Sequence, residues 1–266
     1  MRLSGTRSGG DRPHGRRRWQ TAPMSTHKPS LLLLPGLACD EHLFAGQLPA
    51  LSRHHDVQVG DVHTRCPGLP EMAAALLAER PGRHILVGCS MGGMLALQVL
   101  RQAPDRVRAV ALLGTSARAD TPELIALRSQ ACELFAAGRM GEVLRANLLF
   151  AFHPANQGRQ ALVGDYLAMI ERAGPAQLIV QNRAVMARPD SRPLLPQIRC
   201  PVLVVCGEAD SLTPPEHSRE IAAAVSGAEL QTVAGAGHML TMEEPAAVTA
   251  LLLEWLERLP ESPRAG

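Results

Sequence analysis

The chain has 266 residues, of which 46% are hydrophobic and 20% charged, and its formal net charge at pH 7 is +2. This size fits one large globular domain that carries an insertion, and no apolar run approaches the ~20 residues that a membrane-spanning helix needs. Residues 1–23 contain six arginines and one aspartate, so the remainder of the chain is net negative. We therefore expect neither a nucleic-acid partner nor a membrane partner.

The N-terminal segment, residues 1–28, is predicted to be a disordered extension because it is rich in Arg, Gly and Ser and lacks hydrophobic periodicity. Three roles stay open for it: a targeting sequence, a basic arm for an acidic surface, and an extension without function, which we favour. A targeting role is disfavoured because the next apolar residues, 31–34, are needed as a strand.

Six cysteines are present, but they show neither Cys-x-x-Cys nor the spacing of a disulfide framework. We expect free thiols in a cytoplasmic protein. Among the ten histidines the only close pair is His54 and His55, and adjacent side chains point apart, so no metal site is expected.

From residue 31 onward, short apolar runs alternate with helical patterns. Strands are predicted over residues 31–34 and 55–59, in the run that begins at residue 84, and over residues 107–113. Helices are predicted over residues 44–51, 70–80 and 94–100. This alternation is typical of a parallel sheet with helices on both faces.

The third strand leads into Gly88-Cys89-Ser90-Met91-Gly92, and a helical pattern follows. A Gly-x-Ser-x-Gly sequence between a strand and a helix is typical of a nucleophile elbow, a strained turn that lifts the serine hydroxyl clear of the sheet. The alternative is a glycine-rich turn with an incidental serine. We favour Ser90 as a nucleophile and expect its neighbour Cys89 not to be one.

Beyond residue 118 the alternation stops, and helices are predicted over residues 122–138, 140–150, 160–172 and 175–186. Strands resume over residues 201–206 and 229–233, followed by helices over residues 215–225 and 245–259. Asp210 follows the fifth strand, and His238 lies in a Gly-rich loop after the sixth. Open α/β sheets build their sites at such loops. Alone, Asp210 could be a turn residue and His238 an exposed loop residue.

These motifs resemble those of the α/β-hydrolase fold superfamily, in its esterase and enol-lactonase-like branch. The matching sequences are the elbow, the acid loop (residues 207–214) and the histidine loop with its following Glu-Pro (residues 235–245). The likeness covers about residues 31–259. It implies a mostly parallel twisted sheet of about six strands, with a core over residues 29–118 and 196–266 and a helical cap over residues 119–195.

The resemblance also implies the roles of the site residues: a catalytic triad of Ser90, Asp210 and His238, with Asp120 as the only rival acid. The backbone N–H groups of Leu37 and Met91 would form the oxyanion hole. The chain departs from the family at two places. After the first strand, where a His-Gly pair is common, it has Leu34-Pro35-Gly36-Leu37, and before the serine, where many relatives have His, it has Cys89.

Four apolar residues are predicted to line a substrate pocket, although they could equally pack the core of the cap: Phe44, Leu149, Phe150 and Phe152. No cofactor is expected, and the protein would be a monomer or a homodimer. The expected reaction is hydrolysis of a small carboxylic ester through an acyl-enzyme.

Two alternatives stay open within the same fold, an enol-lactone and a thioester hydrolase. For the former, Arg183, Arg188 and Arg192 are candidates to bind a second carboxylate. A third alternative is a non-catalytic ligand-binding member of the family.

Overall fold

The computed structural model describes residues 28–260, so the predicted N-terminal extension lies, except for residue 28, outside the described residues. The described chain forms one six-stranded sheet in the order β2-β1-β3-β4-β5-β6, in which every neighbouring pair is parallel. The strands are β1 (Ser30–Leu34), β2 (Asp56–Val59), β3 (His84–Cys89), β4 (Val107–Leu113), β5 (Val202–Gly207) and β6 (Glu229–Val233).

The central strands are mainly apolar because both faces of the sheet are covered by helices. Successive side chains of β1 point to opposite faces: Leu31 and Leu33 pack into one core cluster, and Leu32 and Leu34 into the other. Helices α2 (Leu69–Glu79), α3 (Met91–Gln102) and α7 (Pro215–Ala224) cover the face of Leu32. The opposite face is covered by α1 (Leu48–Leu51), α8 (Leu240–Glu243) and α9 (Pro245–Glu257).

The register aligns the carboxyl ends of the central strands at one edge of the sheet. Leu34 pairs with Gly88, and Leu113 pairs with both Cys89 and Val205. The loops after β1, β3, β4 and β5 therefore emerge side by side, which is where parallel sheets place their ligands.

A helical insertion between β4 and β5 consists of α4 (Pro122–Ala136), α5 (Met140–Ala151) and α6 (Gln160–Met186). Helix α6 is broken at Gly174, which has a φ of 74° and precedes Pro175. Proline removes a backbone donor and glycine tolerates positive φ, so the sequence itself causes this break. The predicted fold class, including the helical insertion, is confirmed.

One predicted helix is shorter than expected. Residues 44–51 do not form one helix: Phe44 ends a short 3₁₀ turn, and α1 starts at Leu48. Pro49 explains the difference, because its ring would clash with the carbonyl of Ala45 in a continuous helix. No helix within residues 28–260 is both long and apolar enough to cross a membrane.

Candidate active site

Ser90 lies between β3 and α3 with a φ of 54° and a ψ of −117°, a strained backbone conformation for a residue with a side chain. The flanking glycines are required by space. A Cβ atom on Gly92 would overlap the carbonyl of Leu34, and one on Gly88 would overlap the backbone of Gly92. The turn therefore has the predicted geometry of a nucleophile elbow.

Ser90, His238 and Asp210 are joined by hydrogen bonds. Ser90 Oγ lies 2.9 Å from His238 Nε2, and His238 Nδ1 lies 2.9 Å from Asp210 Oδ2. An ionised carboxylate can only accept, so Nδ1 carries the proton and Nε2 offers its lone pair to the serine hydroxyl. This is the tautomer that a general base needs.

Asp210 is held in place by its own loop. The backbone N–H groups of Leu212 and Thr213 donate to Oδ1, and the Thr213 hydroxyl donates to Oδ2 at 2.8 Å. Burial alone would raise the pKa of Asp210. The neighbouring His238 and the donated hydrogen bonds outweigh burial and hold that pKa below its usual value. The carboxylate therefore stays ionised while it orients the imidazole.

The two predicted oxyanion donors lie beside Ser90. Met91 is the first residue of α3, so its N–H has no partner in the preceding turn. Leu37 follows Gly36, whose Cβ position would lie 3.3 Å from Ser90 Cβ. Within residues 28–260 neither N–H donates a hydrogen bond to another residue, which leaves both available to a negatively charged oxygen.

The loop after β1, which carries Leu37, is held by a residue of the helical insertion that was not predicted. Ala38 has a φ of 57°, and its N–H donates to Gln181 Oε1 of α6 at 2.6 Å. Gln181 Nε2 donates to the His63 carbonyl, and His63 Nε2 donates to the Cys39 carbonyl at 2.8 Å. This buried network fixes the loop that presents the Leu37 N–H.

A second residue without a predicted role, Thr115, lies under the elbow. Its hydroxyl donates to the carbonyl of Ser90 at 2.7 Å, and its side chain packs against Gly93.

For Gln181 the usable signal was a polar side chain on the apolar face of a helix, between Leu178 and Val185. Thr115 offered no such signal, because a threonine after a strand is common.

The four residues predicted to line the pocket divide into two pairs. Phe44 and Phe152 are fully buried, and Phe152 packs edge-on against Tyr166 with ring centroids 5.2 Å apart. Leu149 and Phe150, in contrast, are 64% and 52% exposed, so they do not cover an apolar pocket in this structure. The reason is the orientation of α5, which turns residues 144, 148 and 151 inward and therefore residues 149 and 150 outward.

Asp120, the rival acid, is bound elsewhere. Its side chain is 1% exposed and accepts from Arg188 and Arg128, both at 2.8 Å. Arg188 therefore forms an ion pair with Asp120, and Arg192 forms one with Asp190. The third arginine candidate, Arg183, is exposed.

The Cys89 thiol is buried beside the elbow, and its burial raises its pKa well above the usual value. Burial likewise raises the pKa of the nearby Cys39 to about 12. Neither sulfur is a thiolate at neutral pH, which agrees with the expectation that Cys89 is not a nucleophile. All six cysteines are free thiols.

The chain is similar in sequence to known proteins. Pimeloyl-(acyl-carrier protein) methyl ester esterase of Neisseria meningitidis is 26% identical over 258 residues, which cover 91% of this chain and 98% of that protein. The polyketide synthase ThaQ of Burkholderia thailandensis is 26% identical over 268 residues. That match covers 90% of this chain but 12% of the synthase.

Two solved structures are similar over most of their length. A thermophilic esterase from Thermogutta terrifontis has a TM-score of 0.79 and 26% identity, covering 88% of this chain and 91% of the esterase. The enol-lactonase from Burkholderia xenovorans LB400 has a TM-score of 0.77 and 27% identity, covering 87% and 92%. A model of the alpha/beta hydrolase fold matches residues 68–245. This match spans more than half of the sequence and agrees with the parallel sheet and the elbow, so the chain belongs to the alpha/beta hydrolase fold family.

Proposed function

We propose that this protein is a serine hydrolase that cleaves a small carboxylic ester through an acyl-enzyme. Ser90 is the nucleophile, His238 the general base, and Asp210 the acid that orients the imidazole. One observation carries the proposal: the continuous line of hydrogen bonds from Ser90 Oγ through both ring nitrogens of His238 to Asp210. A non-catalytic binding protein would not need this series of hydrogen bonds. Each of the three residues in it is also held by further contacts.

In the acylation step, Ser90 Oγ attacks the carbonyl carbon of the ester while its proton passes to His238 Nε2. Asp210 stabilises the resulting imidazolium through Nδ1. The carbonyl oxygen becomes negatively charged and accepts from the N–H groups of Met91 and Leu37. When the intermediate collapses, the C–O bond to the alcohol breaks, and the alcohol leaves with the proton from Nε2.

In the deacylation step, water takes the place of the alcohol. His238 Nε2 accepts a proton from water as the water oxygen attacks the acyl carbon, and the same proton returns to Ser90 Oγ when the acid is released. Every proton movement occurs at one atom, Nε2. The reaction therefore needs no group beyond the three side chains and the two backbone donors.

The proposed substrate class rests on the apolar core that the sheet shares with the cap. This core includes Phe152, Tyr166, Met169 and Ile170, all at most 5% exposed, and the backbone of Phe152 lies against Gly237, the residue before His238. Apolar surroundings of this kind favour a short apolar acyl group. Of the three arginines that could bind the second carboxylate of an enol-lactone substrate, Arg188 and Arg192 are already paired with aspartates and Arg183 is exposed, so we favour the simple ester.

The test combines a covalent probe with a substrate panel. A fluorophosphonate should label the wild-type protein at Ser90, and peptide mass spectrometry should find no other labelled residue. Turnover is then measured on acetyl, butyryl and octanoyl esters, on lactones, on acyl thioesters and on methyl esters of dicarboxylic acids. We expect the highest kcat/KM with a short monocarboxylic ester. Absence of labelling in folded protein would favour the binding-protein alternative, and preference for a lactone or thioester would replace the proposed substrate class.

A further inference from the structure

A buried carboxylate outside the proposed triad belongs to Glu243, the last residue of α8, which follows His238. Glu243 is 1% exposed, and within residues 28–260 no cationic side chain is bonded to its carboxylate. Instead, three N–H groups donate hydrogen bonds to the Glu243 carboxylate. Gly237 N–H donates to Oε1 at 2.8 Å, while His153 N–H and Asn156 Nδ2 donate to Oε2 at 2.8 and 2.9 Å.

These three donors belong to two different parts of the chain. Gly237 directly precedes His238, whereas His153 and Asn156 belong to the segment that follows α5 of the cap. Glu243 therefore ties the histidine loop to the cap through a single carboxylate. A charged acceptor makes each of these hydrogen bonds stronger than one between neutral groups.

The two segments are in direct backbone contact around this carboxylate. A Cβ atom on Gly237 would lie 2.7 Å from the carbonyl carbon of Phe152, so only glycine fits there. On either side, Asn156 Nδ2 also donates to the Gly235 carbonyl at 2.8 Å, and the Met239 N–H donates to the Ala151 carbonyl at 3.1 Å. The loop that presents His238 is therefore fixed relative to the cap segment. Hydrogen bonds join the two at three places: through Glu243, between Asn156 and Gly235, and between Met239 and Ala151.

We propose that Glu243 is a positioning residue, which sets the distance and direction of His238 relative to Ser90 by holding the Gly237 N–H against the cap. The proposal rests on the proposed function of Ser90 and His238. It assigns Glu243 no contact with substrate: its effect reaches the reaction only through the placement of the imidazole, 2.9 Å from the serine hydroxyl.

Glu243→Gln is the informative substitution because it keeps shape and length but cannot satisfy all three donors. Whichever carboxylate oxygen is replaced by the amide nitrogen, an N–H group then faces another N–H group. The neighbouring Glu244 provides a matched control. It is partly exposed, and within the described chain its carboxylate accepts no hydrogen bond.

The experiment measures kcat, KM and the pH dependence of kcat/KM for wild type, Glu243→Gln and Glu244→Gln, with active sites counted by fluorophosphonate labelling. For Glu243→Gln we expect kcat to fall on the order of 10–100-fold, because a small misplacement of a catalytic group has effects of this size. KM should stay within about threefold, since uniform binding is untouched. Glu244→Gln should behave as wild type.

The pH profile separates positioning from simple loss of stability. The acid limb of kcat/KM should move to lower pH in Glu243→Gln, because the imidazolium loses a nearby negative charge and its alignment with Asp210. The other charged or titratable groups around this loop are Asp210, which contacts His238, Glu208, which accepts from the Gly235 N–H, His153, and Arg159, which donates to the Glu243 carbonyl. All four are present in the Glu244→Gln control, so a difference between the variants belongs to Glu243.

An unchanged kcat per labelled site with an unshifted acid limb, even at a lower Tm, would overturn the proposal and make Glu243 purely structural. If Glu243→Gln does not fold, Asn156→Ala removes one donor and the bond to Gly235. That variant keeps the charge of Glu243, so it should lower kcat by a smaller factor without moving the acid limb, and a wild-type kcat for it would equally overturn the proposal. Failure of the wild type to label or turn over would instead count against the proposed function.

Discussion

The two buried aspartates near the site should fail in opposite ways when each is changed to asparagine. Asp120 binds two arginines and lies in the connection between β4 and α4, whereas Asp210 binds His238. The side chains of both are almost fully buried, and both residues follow a strand in the sequence. The contacts assign stability to Asp120 and catalysis to Asp210, so a comparison of the two variants tests the choice of acid directly.

The expected cost of Asp120→Asn follows from Arg188, which is 7% exposed at its side chain and cannot lose its charge. Removing one partner of a buried ion pair costs about 3–5 kcal/mol. Arg188 keeps hydrogen bonds to the carbonyls of Arg118 and Val185, so we expect about 3 kcal/mol. For a domain of this size each kcal/mol lowers Tm by about 2–4 °C, which gives a loss of roughly 6–12 °C.

Asp210→Asn should instead lower kcat on the order of 10³–10⁴-fold, because the imidazole loses the group that fixes its tautomer. Its effect on stability should be smaller than that of Asp120→Asn, since His238 can remain neutral and Arg188 cannot. Tm is measured by circular dichroism, and kcat is expressed per mole of folded protein. The reasoning is refuted if Asp120→Asn abolishes turnover in folded protein while Asp210→Asn is mild, or if Asp120→Asn leaves Tm unchanged.

Three further predictions concern the nucleophile, its neighbour and the pH range. Ser90→Ala should stay folded and lose kcat on the order of 10⁴–10⁶-fold, as judged by ester turnover beside its circular dichroism spectrum; near-wild-type turnover would remove Ser90 from the mechanism. Cys89→Ala should keep the rate of hydrolysis within about tenfold of wild type, because only the cost of repacking around the smaller side chain is expected. Wild-type activity should resist iodoacetamide. Inactivation of wild type by iodoacetamide together with activity in Ser90→Ala would make the cysteine the nucleophile. Because the pKa of Asp210 is held below its usual value, its carboxylate contributes stability above the unfolded-state value of about 4 and loses it as pH falls through the lower folded value. The acid limb of kcat/KM should therefore have a limiting logarithmic slope of 1 at every pH above the usual carboxyl range, and a slope of 2 there would mean that Asp210 also takes up a proton in that range.

The position of the proposed triad could be predicted because each member follows a buried strand. Runs such as residues 202–207 are apolar throughout, and parallel strands bring their carboxyl ends to the same edge. Local sequence thus placed Ser90, Asp210 and His238 in neighbouring loops, and the structure brings them within hydrogen-bond distance.

The surroundings of the triad depended on contacts between distant residues, which no local pattern encodes. Helix α5 has apolar residues on more than one side, so its sequence did not determine which of them would face the core, and Leu149 and Phe150 face outward. Gln181 and Glu243 are polar residues whose partners lie 143 and 90 positions away along the chain. A buried polar residue can be noticed in a sequence, but its partner cannot be identified from one sequence.

The bond between Gln181 and the Ala38 N–H has a consequence for protein engineering. Exchanging the cap is an obvious way to change the substrates that such an enzyme accepts. Here a graft that replaces residues 119–195 would also remove the acceptor that holds Ala38 in its positive-φ conformation. A chimera without a glutamine at the position of Gln181 should therefore lose activity toward every substrate alike, and a designer could mistake that loss for a poorly shaped binding site.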